Sequence, residues 1–257
     1  MLKLENISKS FNLGTVNEAR IFDNFNFQVE KGQFVSIVGS NGSGKTTLLN
    51  LVSGTMDVDN GKIILKDVDI TREKEFVRAR KIGRVFQDPS LGTANAMTIA
   101  ENIAIAENKG KNYNLTWGLN RKNIGRYQDM VASLNLGLEN KMDVAVGALS
   151  GGQRQALTLL IATMTPIDLL LLDEHTAALD PKTSETIMEL TGKIVKEKKL
   201  TTLMVTHNLR FAVEYGNRLL MMDKGVAVLD KADDDKTKIE VKDLLKIFNE
   251  ISIECGN

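Results

Sequence analysis

Apolar and polar residues alternate over residues 1 to about 38, as in LKLENISKSF and FDNFNFQVEKGQFVSIVG. A repeat of two is the pattern of a strand that has one face against a core. The segment GKIILKDVDI predicts a further strand, and Asn60-Gly61 in front of it predicts a tight turn. We therefore expect the N-terminal part of the chain to be rich in β-structure.

The pattern changes twice further along the chain. Residues from about Thr98 to Leu136 are polar and rich in Asn, Lys and Glu, which predicts a helical insertion. From Gln153 onward, the apolar segments DLLLLD, TTLMVTH and NRLLMMDKG alternate with the amphipathic segments GQRQALTLLIATM, PKTSETIMELTGKIVKEKK and NLRFAVEYG. Buried strands separated by helices indicate an α/β core with parallel strands.

Three further segments carry local predictions. IEVKDLLKIFNEI places one apolar stripe on a helix, made of Val241, Leu244, Leu245, Phe248 and Ile251. Docking of this helix on its own domain is favoured, and a partner-binding helix is the alternative. The charged run DKADDDK is expected to be a solvated loop. A packing role is expected for Trp117 in the middle block.

Composition restricts the function classes. Of 257 residues, 42% are apolar, which allows a sizeable core, and 33 basic residues balance 33 acidic ones. Balanced charge argues against nucleic acid as a partner. The single cysteine, Cys255, cannot form a disulfide within the chain, which fits a reducing compartment. We see neither a signal peptide nor the ~20 apolar residues of a membrane helix, so we expect a cytoplasmic protein that reaches a membrane through a partner.

The segment GSNGSGKTT follows the strand FVSIVG and opens the helix TTLLNLVSG, as the phosphate-binding pattern G-x-x-x-x-G-K-[ST] requires. Its glycines let backbone N–H groups face phosphate oxygens, and the helix N-terminus adds partial positive charge. Lys45 is expected to reach the β- and γ-phosphates, and Thr46 to ligate Mg²⁺. The predicted nucleotide-binding residues here are Gly39, Ser40, Asn41, Gly42, Ser43, Gly44, Lys45, Thr46 and Thr47.

An acidic pair ends the buried strand DLLLLDE. Asp173 is expected to hold Mg²⁺, directly or through water. Glu174 is the candidate general base, placed to orient a water for attack on the γ-phosphate. Together with the phosphate loop, this pair predicts a P-loop NTPase without choosing among kinases, GTPases and motors.

The segment ALSGGQRQALTLLIA precedes the acidic pair. Its serine and the start of its helix form a second anion site. One γ-phosphate does not need two such sites, whereas two molecules packed head to tail would each supply one to the nucleotide of the other.

At this point the chain closely resembles the ATP-binding cassette (ABC) ATPases, whose signature is LSGGQ, here at residues 149–153. The resemblance implies an α/β fold: a P-loop NTPase (RecA-like) core with an antiparallel β subdomain and an inserted α-helical subdomain. It assigns residues 1–88 and 158–240 to the core with its β subdomain, 89–157 to the helical subdomain and 241–257 to the C-terminal helix and tail. It also implies ATP and Mg²⁺ as cofactors.

The resemblance implies a dimer that encloses two ATP molecules. The signature residues of one subunit would contact the ATP bound by the other; they are Ser150, Gly151, Gly152 and Gln153. Gln87 resembles the glutamine that senses Mg²⁺ and the attacking water. Asp180, in Ala178-Leu179-Asp180, resembles the loop that crosses the dimer interface.

Two ring-bearing residues take roles by the same resemblance. His207, at the end of TTLMVTH, resembles the histidine that hydrogen-bonds the γ-phosphate. Phe11 resembles the aromatic residue that stacks on adenine, where tyrosine is more usual; a core phenylalanine is the alternative.

His175 follows the acidic pair, where the family usually has proline. Successive side chains of an extended segment point to opposite sides, so His175 should face away if Glu174 faces the phosphate. A local packing or hydrogen-bonding role is the expectation.

The single cassette, without a coiled coil or a fused membrane domain, resembles the separate ATPase subunit of a transporter. The segment DPSLGTANAMTIAENIAIA resembles the part that receives the permease, with Met97 and Ile99 as candidate groove residues. The resemblance favours an importer of a small solute, an amino acid among the candidates, on the inner face of the membrane. The expected partners are a second copy, a permease and an extracytoplasmic substrate-binding protein. An exporter ATPase and a soluble regulatory ATPase are the alternatives.

Overall fold

The computed structural model describes residues 1–111 and 118–254 of the chain. Trp117 and Cys255 lie outside the described residues, so the expectations about them are untested. Contacts divide the chain into two compact units, Met1–Ala79 with Lys199–Asn257, and Arg80–Lys198. The sequence-based boundaries of the helical subdomain, 89–157, stay a prediction.

Regular elements follow one another in this order. The first unit begins with β1 (Leu2–Phe11), β2 (Ala19–Val29), β3 (Phe34–Gly39), α1 (Lys45–Ser53), β4 (Asn60–Leu65), β5 (Val68–Asp69) and α2 (Glu75–Arg78). The second unit contains β6 (Ile82–Val85), α3 (Ile99–Glu107), α4 (Ile124–Ala132), α5 (Gly151–Thr163), β7 (Leu169–Asp173) and α6 (Pro181–Lys198). The first unit resumes with β8 (Thr201–Val205), α7 (Leu209–Glu214), β9 (Arg218–Asp223), β10 (Val226–Ala232), α8 (Asp233–Thr237) and α9 (Val241–Glu254).

The first unit contains an antiparallel sheet of four strands in the order β2-β1-β4-β5. Its alternating sequence places the apolar residues on one face. Leu4 pairs with Phe27 and with Ile63, and all three side chains are buried. Cross-strand apolar pairs of this kind are what stabilise a sheet with one face against a core.

The same unit contains strands in the order β10-β9-β3-β8. β3 is buried along its whole length and runs parallel to both β8 and β9, whereas β10 is antiparallel to β9. Strands buried on both faces read as continuous apolar runs, which is how FVSIVG, TTLMV and RLLMMD read. The predicted α/β fold with parallel strands is confirmed here.

The second unit is mainly helical. β6 and β7 pair in parallel, with Val85 opposite Leu172. Helices α3, α4 and α5 share one apolar cluster, which includes Ile103, Val131 and Leu157. Thr98 starts α3 with a reciprocal pair of hydrogen bonds to Glu101, so the predicted helical insertion begins with a strong N-terminal signal.

The predicted turn at Asn60-Gly61 is wrong. Both residues belong to β4, and the hairpin turn lies at Lys66 and Asp67, where φ is 50° and 63°. Gly61 has φ 102°, and a Cβ there would lie 2.5 Å from the carbonyl oxygen of Asn6. The glycine is required by a close approach of two strands, and a glycine in that role cannot be told from a turn glycine by its neighbours in sequence.

The predicted solvated loop DKADDDK is also different in the structure, because part of it is helix α8. Lys236 is buried and its Nζ donates to the carbonyl oxygens of Val213, Tyr215 and Gly216 at 2.5, 2.8 and 2.8 Å. These carbonyls lie at the end of α7, where a cation satisfies them. Burial lowers the pKa of Lys236 to about 8.

The C-terminal helix docks on its own unit, as the favoured prediction had it. Leu244 is fully buried against Val38, Leu219 and Met221. Leu245 departs from the predicted stripe, since its side chain is 48% exposed. None of the helices in the described ranges combines the length and the apolar character needed to cross a membrane.

A buried arginine fixes the end of α1. Arg78 is 1% exposed, and its guanidinium donates to the carbonyl oxygens of Leu51, Val52, Thr71 and Glu73 at 2.7, 3.1, 2.9 and 2.9 Å. Two of these carbonyls belong to the last turn of α1, so the arginine holds that helix to the segment before α2.

Replacing this arginine by an apolar chain should destabilise the unit. Arg78→Met leaves four buried carbonyls without their donor, and we expect the free energy of unfolding to fall by about 3 kcal/mol. Urea denaturation measures this. Arg72→Met, at an exposed position six residues earlier, is the matched control. Equal stability of the two variants would contradict the anchoring role.

Candidate functional site

The loop between β3 and α1 turns through glycines with left-handed backbone. Gly42 and Gly44 have φ 79° and 99°, a region that only glycine enters at low cost. Gly44 is the N-cap of α1 and has no side chain with which to cap it. The first N–H groups of α1 are therefore oriented toward the loop, which is the arrangement that binds phosphate.

Lys45 lies under this loop. Its side chain is 5% exposed, and Nζ donates to the carbonyl oxygens of Gly39 and Ser40, each at 2.8 Å. A third contact, to Ser43 Oγ, is 3.4 Å. The ammonium group is thus held at the loop by its own backbone, next to the N-terminus of α1.

Sequence reasoning missed the residues that anchor the loop. Ser40 Oγ donates to Asp223 Oδ1 at 2.6 Å, and the N–H of Gly225 donates to the carbonyl oxygen of Ser43 at 3.2 Å. A Cβ on Gly39 would lie 2.1 Å from the carbonyl oxygen of Met222. The Asp-Lys-Gly turn that ends NRLLMMDKG was the available signal.

His207 follows β8 in the same unit. The N–H of Thr206 donates to the carbonyl oxygen of Ile37 at 3.1 Å, which aligns the end of β8 with the end of β3. Since the carboxyl ends of parallel strands meet at one edge of a sheet, His207 is exposed at the edge where the phosphate loop begins.

Phe11 lies at the end of β1 and is half-buried. The Nζ of Lys9 is 5.9 Å from the centre of its ring. Phe11 is not among the buried core residues, and stacking of its ring on adenine stays a prediction.

In the second unit, Asp173 ends β7 and is buried. An ion pair joins its Oδ2 to Arg84 Nη2 at 2.8 Å, and the guanidinium lies 4.6 Å from the centre of the Phe86 ring. Arg84 comes from β6, which pairs with β7, so nothing in the local sequence around Asp173 reveals it. The pair directs the carboxylate of Asp173.

Gln87 follows β6 and is exposed. The carbonyl oxygen of the preceding Phe86 accepts a hydrogen bond from Gln155 Nε2 at 3.3 Å, which ties this segment to α5. Because β6 and β7 are parallel neighbours, Gln87 and the acidic pair emerge at the same edge.

Glu174 has a left-handed backbone, with φ 48°. Its carbonyl oxygen accepts from the N–H of Ala177 at 2.9 Å. For a residue with a Cβ this backbone region is strained, and such strain concentrates at functional sites.

His175 is 2% exposed and lies 3.1 Å from Thr191 Oγ1 through Nε2. Burial lowers the pKa of His175 to about 4, so the ring is neutral near pH 7. The expected packing and hydrogen-bonding role agrees with this geometry.

The signature and the segment of Asp180 meet in the second unit. Ser150 caps α5 and exchanges hydrogen bonds with Gln153. A Cβ on Gly151 would lie 3.2 Å from Leu179 Cδ2, and one on Gly152 would lie 2.3 Å from Thr183 Cγ2. The side chains of Leu179 and Thr183, in the segment around Asp180, therefore lie close to the two signature glycines.

The side chains of Asp180 and Gln153 form hydrogen bonds with nearby residues of the second unit. Asp180 Oδ1 accepts from the N–H of Thr183 at 3.1 Å, and hydrogen bonds from Thr183 lower the pKa of Asp180. The amide of Gln153 also donates to the carbonyl oxygen of Leu136 at 3.1 Å. Contact of either side chain with a nucleotide stays a prediction.

Comparison with known proteins identifies the class. A family model described as ABC transporter matches residues 22–177, which is more than half of the chain. The chain belongs to this family: it is an ATP-binding subunit of an ABC transporter and an ATPase whose hydrolysis of ATP is coupled to transport.

The chain is also similar to individual proteins of this family. The "Tyrosine transport ATP-binding protein" of Clostridioides difficile (strain R20291) is 48% identical over 248 residues, 96% of this chain and 98% of that protein. The "Phosphonates import ATP-binding protein" of Lactococcus lactis subsp. cremoris (strain SK11) is 33% identical, over 93% and 96%. A dimeric ATP-binding cassette in a post-hydrolysis state, bound to ADP and Pi, matches with TM-score 0.76 and 27% identity, over 90% of this chain and 98% of that one.

The buried histidine should make stability depend on pH. Because the pKa of His175 is about 4 in the folded protein and near 6.5 when exposed, the unfolded chain binds more protons between these values. This stability is present above pH 6.5 and is lost as the pH falls toward 4. Between pH 7.5 and 5.5 we expect wild type to lose about 1 kcal/mol more than His175→Gln, measured by urea denaturation. Parallel pH profiles of the two proteins would contradict the buried neutral ring.

Proposed function

We propose that this chain drives a separate membrane permease in the import of a small solute, an amino acid such as tyrosine. The observation that carries the proposal is the 48% identity, over nearly both chains, to a protein named for tyrosine transport. A second relative is named for import, which supports the direction.

The phosphate loop is proposed to bind ATP through the N–H groups of α1 and the ammonium of Lys45. Thr46 is an exposed residue in the first turn of α1, and Asp173 supplies a carboxylate. Oxygen donors of this kind fit Mg²⁺, so Thr46 and Asp173, with Gln87, are proposed to hold it. The ion would neutralise charge on the β- and γ-phosphates.

Turnover is proposed to depend on Glu174 and His207. Glu174 orients the attacking water and accepts its proton, and His207 donates a hydrogen bond to the γ-phosphate. Phosphoryl transfer needs positioning and charge neutralisation more than covalent help from the protein, and the proposed groups supply these.

A second copy of the chain is proposed to complete each site. The exposed Ser150 and the start of α5 form an anion site that the chain does not need for its own nucleotide. Dimers of related cassettes support this arrangement. Asp180, beside the signature, would lie at the same interface.

The permease is proposed to bind the segment after Gln87. Of the two groove residues predicted there, Ile99 is fully buried in the helical cluster, so it cannot line a groove. Leu91 is 68% exposed and replaces it as a candidate contact. Binding of this kind places the chain on the cytoplasmic face of the membrane, beside a permease that receives its solute from an extracytoplasmic binding protein.

The variant Glu174→Gln tests both the chemistry and the transport assignment. The amide cannot accept the proton of the water, so we expect ATP turnover to fall at least about a hundredfold while ATP binding is retained and an ATP-bound dimer accumulates. Phosphate release and size-exclusion chromatography measure these effects. Glu189→Gln, at an exposed carboxylate of α6, is the matched control.

The same variant distinguishes the transport classes in cells. A strain that lacks the gene should lose uptake of labelled tyrosine, and wild type but not Glu174→Gln should restore it. Increased tyrosine accumulation in the deletion strain would indicate an exporter. Unchanged tyrosine flux in both directions would contradict the amino-acid assignment.

A further inference from the structure

The left-handed backbone of Glu174 must be stabilised by contacts with neighbouring segments. A left-handed conformation is unfavourable for a residue with a Cβ, and glutamate has no short side chain with which to bond its own backbone. On one side, the residue is fixed by β7, which is buried and paired with β6. On the other side, the chain continues into His175 and the turn that follows.

The hydrogen bond of His175 joins its ring to a threonine of α6. The hydroxyl of Thr191 has one proton, and it donates that proton to the carbonyl oxygen of Ile187 at 2.7 Å. With that proton given to Ile187, the hydroxyl accepts from the ring, and we assign the tautomer of His175 in which Nε2 carries the proton and lies 3.1 Å from Thr191 Oγ1. Both side chains are buried, with Thr191 0% exposed, so neither group has water as a substitute partner.

A second hydrogen bond joins helix α6 to the turn after Glu174. Ser184 Oγ donates to the carbonyl oxygen of Thr176 at 3.0 Å, and both residues are buried. Two successive residues after Glu174 are thereby tied to one helix of 18 residues. A long helix is a rigid support, which is what a precisely directed side chain requires.

We propose that His175 is a positioning residue: its hydrogen bond to Thr191 clamps the turn that holds Glu174 in its left-handed conformation and so directs the Glu174 carboxylate. The inference rests on the proposed role of Glu174 as general base. A residue without a side-chain donor at position 175 could not make this bond, so the clamp depends on the histidine.

The experiment removes the bond from each end. His175→Phe keeps a ring of similar size without the donor, and Thr191→Val keeps the shape without the acceptor. We expect kcat of either variant to fall by on the order of tenfold to a hundredfold, because a small displacement of the base is costly. The KM for ATP should stay within about twofold, since the phosphate loop is untouched.

Rescue and controls separate positioning from general stability. His175→Gln returns an N–H donor near the place of Nε2, and its kcat should recover to within a few-fold of wild type. Thr186→Val is the matched control, because it removes an exposed hydroxyl that donates to Lys182 in the same helix. The double variant His175→Phe/Thr191→Val should be no slower than the slower single variant.

Each outcome decides one claim. Wild-type kcat in folded His175→Phe, or a kcat of His175→Gln as low as that of His175→Phe, would overturn the clamp. Loss of turnover in Glu174→Gln with an unaffected His175→Phe would overturn the clamp alone. Retained turnover in Glu174→Gln would overturn the assignment of the base itself.

Discussion

Backbone N–H groups at the start of α1 can face a phosphate only if the chain reverses within a few residues of β3. The left-handed backbone of Gly42 and Gly44 makes that reversal possible, and the contact between Gly39 and the backbone of Met222 leaves no room for a side chain at the strand end. Three residues elsewhere in the first unit support this turn and the helix that follows it. Asp223 and Gly225 hold the loop from one side, and Arg78 fixes the far end of α1.

In the second unit, the main structural feature is the orientation of two carboxylate side chains. Asp173 is directed by Arg84 through an ion pair, and Glu174 by a strained backbone whose following turn is tied to α6. The signature glycines of the same unit lie against the residues around Asp180. Strain and close approach thus occur together where the proposed chemistry takes place, as expected when a fold stabilises an otherwise unfavourable geometry.

The features that could be predicted from the sequence are those formed by neighbouring residues. A phosphate loop, an acidic strand end and a signature helix each depend on a few neighbouring residues, so Lys45, Asp173 and Ser150 could be placed on their elements without a structure. Their partners could not, because Asp223, Arg84 and Thr191 are brought in by strand pairing and helix packing from distant parts of the chain.

Local errors in the prediction have the same origin. Gly61 reads as a turn residue until the neighbouring strand is known. The charged run DKADDDK predicts a solvated loop, whereas in the structure Lys236 donates hydrogen bonds to carbonyl oxygens at the end of α7. In both segments a tertiary contact overrides the local preference.

In the proposed dimer, each ATP is bound between the phosphate loop of one subunit and the signature of the other. Lys45→Ala and Ser150→Arg should each abolish ATPase activity in a homodimer. A mixed dimer of the two has one site with both defects and one intact site. An equal mixture should therefore recover about a quarter of wild-type activity, because roughly half of the dimers are mixed and each has one working site. An inactive mixture that demonstrably contains mixed dimers would contradict the claim.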